Sequence, residues 1–107
     1  MKAKLIYTIQ SVETSQGGTL GLGGKTYTLT VEREFEVRPL IGETVRVAGK
    51  EYKISTVVHA ADGLEIFCGW TDFEYKRGAN GDASFERLYG ADVAKMKKDG
   101  WTLEVTK

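Results

Sequence analysis

In Ile54-Ser55-Thr56-Val57-Val58-His59-Ala60-Ala61-Asp62-Gly63-Leu64-Glu65-Ile66-Phe67-Cys68-Gly69-Trp70 two apolar runs meet at one Asp-Gly pair. Asp-Gly between two β-branched and aromatic runs is the pattern of a tight hairpin turn, because Gly tolerates the positive φ that such turns need. A turn centred on Asp62-Gly63 pairs Val58 with Phe67, Ile54 with Thr71 and Tyr52 with Phe73. These lie on one apolar face with Val45 and Val47. The opposite face then carries Val57, His59, Leu64, Ile66, Cys68 and Trp70. A ribbon that is apolar on both sides has to be covered twice.

Upstream, Thr44–Ala48 and Glu51–Ser55 flank Gly49-Lys50, which reads as a second hairpin. Its register sets Val47 against Tyr52, Val45 against Ile54 and Arg46 against Lys53. The last pairing of like charges has to be wet or offset by nearby carboxylates, with the glutamates of the preceding strand as candidates. That strand, residues 25–38, has the clearest period of two in the chain. Tyr27, Leu29, Val31, Phe35 and Val37 alternate with threonines and glutamates, and Arg33 interrupts the apolar side at a predicted bulge or sheet rim. Residues 3–12 read as a further strand. A Gly-rich connection over residues 13–24 joins the two.

Downstream, Asn80-Gly81 permits a third hairpin turn into a strand at 84–89. The reading preferred here is a helix from about Ser84 to Asp99, because Phe85, Leu88, Tyr89, Val93 and Met96 fall on one helical face. Asp82 or Ser84 can cap it. Lys95, Lys97 and Lys98 suit its last turn, and Gly100 ends it before a short strand from Trp101 to Thr106. The expected fold is α+β and mostly antiparallel β. Five or six strands form a small barrel-like or strongly twisted sheet, with one C-terminal helix packed on it. With 107 residues, 41% hydrophobic and 28% charged, residues 1–107 read as a single globular domain.

Fifteen basic and fifteen acidic residues give a formal net charge of zero, which argues against a nucleic-acid partner, since phosphate binding draws on a basic excess. Lys76, Arg77, Lys95, Lys97 and Lys98 near Tyr75 and Trp101 are the one candidate basic patch, and helix-terminus electrostatics explain most of it. A single cysteine points to a reducing, cytoplasmic setting. No run approaches the roughly 20 apolar residues of a membrane span.

Three motifs invite chemistry. Thr19 to Thr26 nearly spells a phosphate-binding loop, but Thr19 stands where that loop needs Gly, and a strand rather than a helix follows. In the Asp62-Gly63 register Cys68 and His59 lie one diagonal apart, the proximity that a thiolate–imidazole pair requires. No residue is evident to orient the His, and a mid-strand Cys is ordinarily an inert small hydrophobe. Together they supply half of a zinc ligand set, so no metal or other cofactor is expected. Glu32, Glu34 and Glu36 line one strand face about 7 Å apart, which suits a solvated face.

Gly42-Glu43-Thr44-Val45-Arg46-Val47-Ala48-Gly49-Lys50-Glu51-Tyr52-Lys53-Ile54 resembles the G-x-x-V-x-V-x-G-x-x-Y-x-I hairpin of SH3-like small barrels. The resemblance implies a small barrel or strongly bent sheet. Barrels of this kind serve as adaptor, nucleic-acid-binding or assembly modules, including in phage particles. The functional expectation is a non-enzymatic binding or assembly module that self-associates, as a homodimer or with another protein. It would do so through an apolar sheet face with Leu64, Ile66, Trp70 and His59 as contact residues. The alternatives are a nucleic-acid-binding barrel and a small enzyme built on Cys68 and His59.

Overall fold

In a computed structural model of the chain, residues 2–14, 24–76 and 78–106 are described. Residues 15–23, which hold most of the glycine-rich connection and of the phosphate-loop-like run, lie outside them, as does Arg77; Glu13 and Thr14, expected in that connection, belong to the first strand. Two strands dominate. β1 (Lys2–Thr14) and β6 (Gly63–Lys76) lie side by side in parallel, far apart in sequence. β2 (Thr26–Glu34) and β7 (Thr102–Thr106) extend the sheet beyond β1, and β5 (Thr56–Ala60) extends it beyond β6. The order is β5-β6-β1-β2-β7, with every pairing except β1·β6 antiparallel. β1 is central because it is apolar toward both faces: Leu5 and Ile9 point one way, Ile6 the other, and all are buried.

One face of the sheet, here the inner face, holds the core. Ala3, Leu5 and Ile9 of β1, Tyr27, Leu29 and Val31 of β2, and Leu64, Ile66 and Phe73 of β6 meet two covering elements there. One is α1 (Gly81–Lys98), which contributes Phe85, Val93 and Met96. The other is the separate hairpin of β3 (Thr44–Val47) and β4 (Lys50–Lys53), which contributes Val45, Val47 and Tyr52. The Phe85 ring stacks on Tyr27 with centroids 3.7 Å apart, and Tyr52 meets Trp101 at 5.3 Å. The sheet is open. The barrel expected as one alternative does not close, and the twisted-sheet alternative is the one found, with seven strands in two sheets among the described residues.

Both hairpins turn one residue earlier than expected. In β3–β4 the turn is Ala48-Gly49, with φ of 51° and 86°. Two positive φ values make a type I′ turn, whose twist suits the flanking strands. The register sets Arg46 against Glu51, 2.8 Å apart, and the anticipated clash with Lys53 disappears. In β5–β6 the turn is Ala61-Asp62, and Gly63, at φ 143°, opens β6. Val58 faces Glu65 instead of Phe67, and His59 faces Leu64. Ile54 and Tyr52 have no strand partners on β6, because β4 folds with β3 over the inner face.

α1 begins at Gly81, so residues 84–89 are helical and the strand alternative falls. Asn80 is the cap, its side-chain oxygen accepting from the Ala83 amide at 3.1 Å. At the other end the Gly100 amide donates to the Lys97 carbonyl and the Trp101 amide to that of Met96. Gly100 sits at φ 102°, which completes a Schellman stop. Arg33, which broke the alternation of β2, reaches this terminus and donates from Nη2 to the Asp99 carbonyl at 2.8 Å.

Candidate functional site

Alternation along β6 does not run straight. Its register against β1 passes from Ile6↔Phe67 to Tyr7↔Gly69, so Cys68 is an extra residue, a β-bulge. Before the bulge the even positions Leu64 and Ile66 face the core. After it the odd positions Thr71, Phe73 and Tyr75 do. Trp70 therefore turns to the outer face, where it sits across from Thr8 and is 65% exposed. This corrects the expected common face for Leu64, Ile66 and Trp70. Leu64 and Ile66 are core residues, the latter fully buried.

The outer face has an apolar and hydroxylic centre. Phe67 lies beside Ile6, Trp70 beside Thr8, and Thr28 and Thr30 of β2 continue the same rows. Thr56 and Val58 of β5 flank Phe67 and Glu65. Charges lie toward the ends: Lys4, Glu32 and Glu65 on one side, Asp72 and Glu74 on the other. α1 and the β3–β4 hairpin both pack on the inner face, so neither covers this surface. Trp70 stands just past the last β5–β6 pair, Thr56↔Phe67.

His59 and Cys68 are not brought together. His59 pairs with Leu64, and Cys68 lies four residues further along β6, about 13 Å away at the usual strand rise. Cys68 is buried, and its Sγ donates to the Ile6 carbonyl at 3.5 Å. Desolvation pushes its thiol up to about 11, the opposite of the depression that activates a nucleophile. His59 is exposed, and its Nε2 meets the guanidinium of Arg38. Among the described residues no group of three or more His, Cys, Asp or Glu could hold a metal ion.

The remaining charged candidates are also dispersed. Glu32 lies 3.9 Å from Lys2, and Arg46 is matched by Glu51 of its own hairpin rather than by the β2 glutamates. Glu36 lies beyond the end of β2. Lys76 ends β6 close in sequence to the start of α1, whereas Lys95, Lys97 and Lys98 lie in the last turn of that helix, roughly 25 Å along its axis. Trp101 is 3% exposed and in the core. The lysines are thus at opposite ends of α1, and Trp101 is buried.

One polar cluster joins residues that the sequence pattern does not connect. At the start of α1, Asp82 accepts from Tyr27 Oη at 2.6 Å and from Lys25 Nζ at 2.8 Å. Tyr75 Oη donates to Glu13 at 3.5 Å beside them. These groups line an open cleft of about 250 Å³ with Ser11 and Asn80. Bonds from Lys25 and Tyr27 hold the Asp82 carboxyl below its usual range, and burial pushes the Tyr27 hydroxyl above its own. An ionised acceptor locked between two donors ties the helix N-terminus to the sheet. No short-range signal marks it, because Asp82 lies 57 residues from Lys25 and 55 from Tyr27 in sequence.

No helix among the described residues is long and apolar enough to cross a membrane. Comparison of the chain with protein-family models, with curated proteins and with solved structures finds no match.

Proposed function

We propose that this chain is a non-enzymatic binding and assembly module that self-associates through the outer face of its five-stranded sheet. The observation that carries the reading is Trp70, 65% exposed and turned outward by the bulge at Cys68. A large aromatic on a sheet face, with Phe67 and Ile6 in the neighbouring row and charges kept to the ends, has the layout of a contact surface: apolar centre, polar rim. Ile6 and Thr8 in the central strand are already buried by their neighbours, whereas the Trp70 ring stands out from the sheet. A second copy presents the same patch and buries both, as two-fold association requires.

Sedimentation or light scattering tests this. The native chain is expected to form a particle heavier than one chain, and Trp70→Ser should halve that mass at matched concentration. A native chain that stays monomeric up to about 1 mM, where a contact worth about 4 kcal/mol would be visible, overturns the reading.

A further inference from the structure

The five-stranded sheet ends in β5 on one side and β7 on the other, and neither outer edge has a strand partner among the described residues. An unpaired edge presents a row of N–H and C=O groups that only water or another strand can satisfy. Folded proteins usually blunt such edges with Lys, Pro or an inserted charge. β7 follows that rule, with Glu104 at its middle. β5 does not. Thr56-Val57-Val58-His59-Ala60 contains no Lys, Arg, Asp, Glu or Pro, and three of its five residues are β-branched. Val58 is 39% exposed. Arg38 meets the His59 ring, which points to the inner side with Leu64.

The two edges respond differently to a second copy of the chain. Antiparallel self-pairing of β7 about its centre would lay Glu104 on Glu104 of the other copy, a like-charge pair. The same operation on β5 about Val58 lays valine on valine, Val57 beside His59 and Thr56 beside Ala60. No charged residue of β5 meets another, the nearest formal charge being Arg38, which lies against His59 in each copy, and the β-branched pairs are of the kind that stabilise sheets.

We propose that the outer edge of β5 is a second contact between copies of this chain, in which two chains pair β5 to β5 antiparallel about a two-fold axis at Val58. The two sheets then run on as one sheet of twice the width. That axis is perpendicular to the sheet, so both Trp70 patches end on the same side. The edge contact stands by itself. Combined with the face contact proposed above, whose axis runs parallel to the sheet and outside it, it gives the chain two kinds of isologous interface.

The two-fold axis makes a specific demand: residue 58 of one chain lies about 5 Å from residue 58 of the other. The experiment uses the full chain carrying Trp70→Ser, which removes the face contact. Trp70→Ser alone should sediment as a dimer. Adding Val58→Lys or Val58→Glu should yield monomers, and an equimolar mixture of the Lys and Glu variants should regain the dimer, at least tenfold tighter than either alone. Far-UV circular dichroism confirms that each variant is folded. A monomeric Trp70→Ser chain, a Val58→Lys chain that still dimerises, or a mixture no tighter than its components overturns the edge contact. Only the native chain compared with Trp70→Ser bears on the face contact, so the two proposals fail separately.

Discussion

A Cβ added at Gly69 would lie 2.2 Å from ring carbons of Tyr7, whose own ring is held edge-on by Tyr52 at 6.1 Å. The ring has little room to retreat, because Tyr52 is itself packed among core residues. Gly69→Ala is therefore expected to destabilise the fold by about 1–3 kcal/mol, read by urea denaturation, as overpacking in a close-packed core does. An unchanged midpoint would show that the ring moves freely. The same few residues decide where the neighbouring groups point. Cys68 takes the extra place in the ladder and becomes buried, and Trp70 is sent outward. A thiol raised to about 11 and shut from solvent should resist a disulfide reagent at pH 8 in native buffer and react at once in denaturant. At this scale the sequence was only half legible. The identities of Cys68, Gly69 and Trp70 are plain, but straight counting of odd and even positions assumes no bulge, and one extra residue reverses every assignment beyond it. Arg33 is the complementary case. Its break in the apolar pattern was visible, and its partner, the Asp99 carbonyl at the far end of α1, was not.

Elements whose causes are local were read nearly as they stand. β2 keeps its alternation from Tyr27 to Val31, and α1 has its polar cap, its lysine-rich last turn and its glycine stop. The hairpin turns were found to within one residue. The displacement followed from backbone angles at Ala48 and Gly63 that a pattern of residue types does not carry. How α1 attaches to the sheet was not legible, since Asp82 depends on Lys25 and Tyr27 from β2 and the segment before it. That attachment has a pH signature. The folded Asp82 carboxyl titrates below its ordinary value, near 4, so its contribution is complete above that value and is lost as pH falls through the lowered one. Melting temperatures of the native chain and Asp82→Asn should differ by a constant amount above about pH 5 and converge at lower pH. A gap that persists unchanged at pH 2.5 would mean that the carboxylate charge is not what holds the helix start.

At the scale of the whole molecule, one pairing controls the architecture: β1 beside β6, parallel, with Ala3 opposite Leu64. Contacts so distant in sequence leave no local trace, which is why a chain of recognisable hairpins could not be assembled into its sheet order by reading alone. The consequence is a sheet covered on one side by α1 and the β3–β4 hairpin, with the two tryptophans divided between its sides. Trp101 is in the core, and its Nε1 has no hydrogen-bond partner among the described residues, so Trp101→Phe removes an unsatisfied buried donor along with some packing and should cost no more than about 1 kcal/mol. The chain has two tryptophans, so that variant reports from Trp70 alone. In dilute solution its fluorescence should be quenched readily by acrylamide, as befits a ring 65% exposed. At concentrations where copies meet face to face, the ring is withdrawn from solvent and the quenching slope should fall at least threefold, with a blue shift of the emission. In the same concentrated sample Thr28→Lys, in the same outer row as Thr8 and Trp70 but less buried, should restore the dilute behaviour, because a charge within the patch cannot be buried unpaired. A slope independent of concentration would mean that the outer face stays wet in every assembly the chain forms. Trp70 would then be an exposed aromatic without a partner, and the β5 edge the surface left to account for any association.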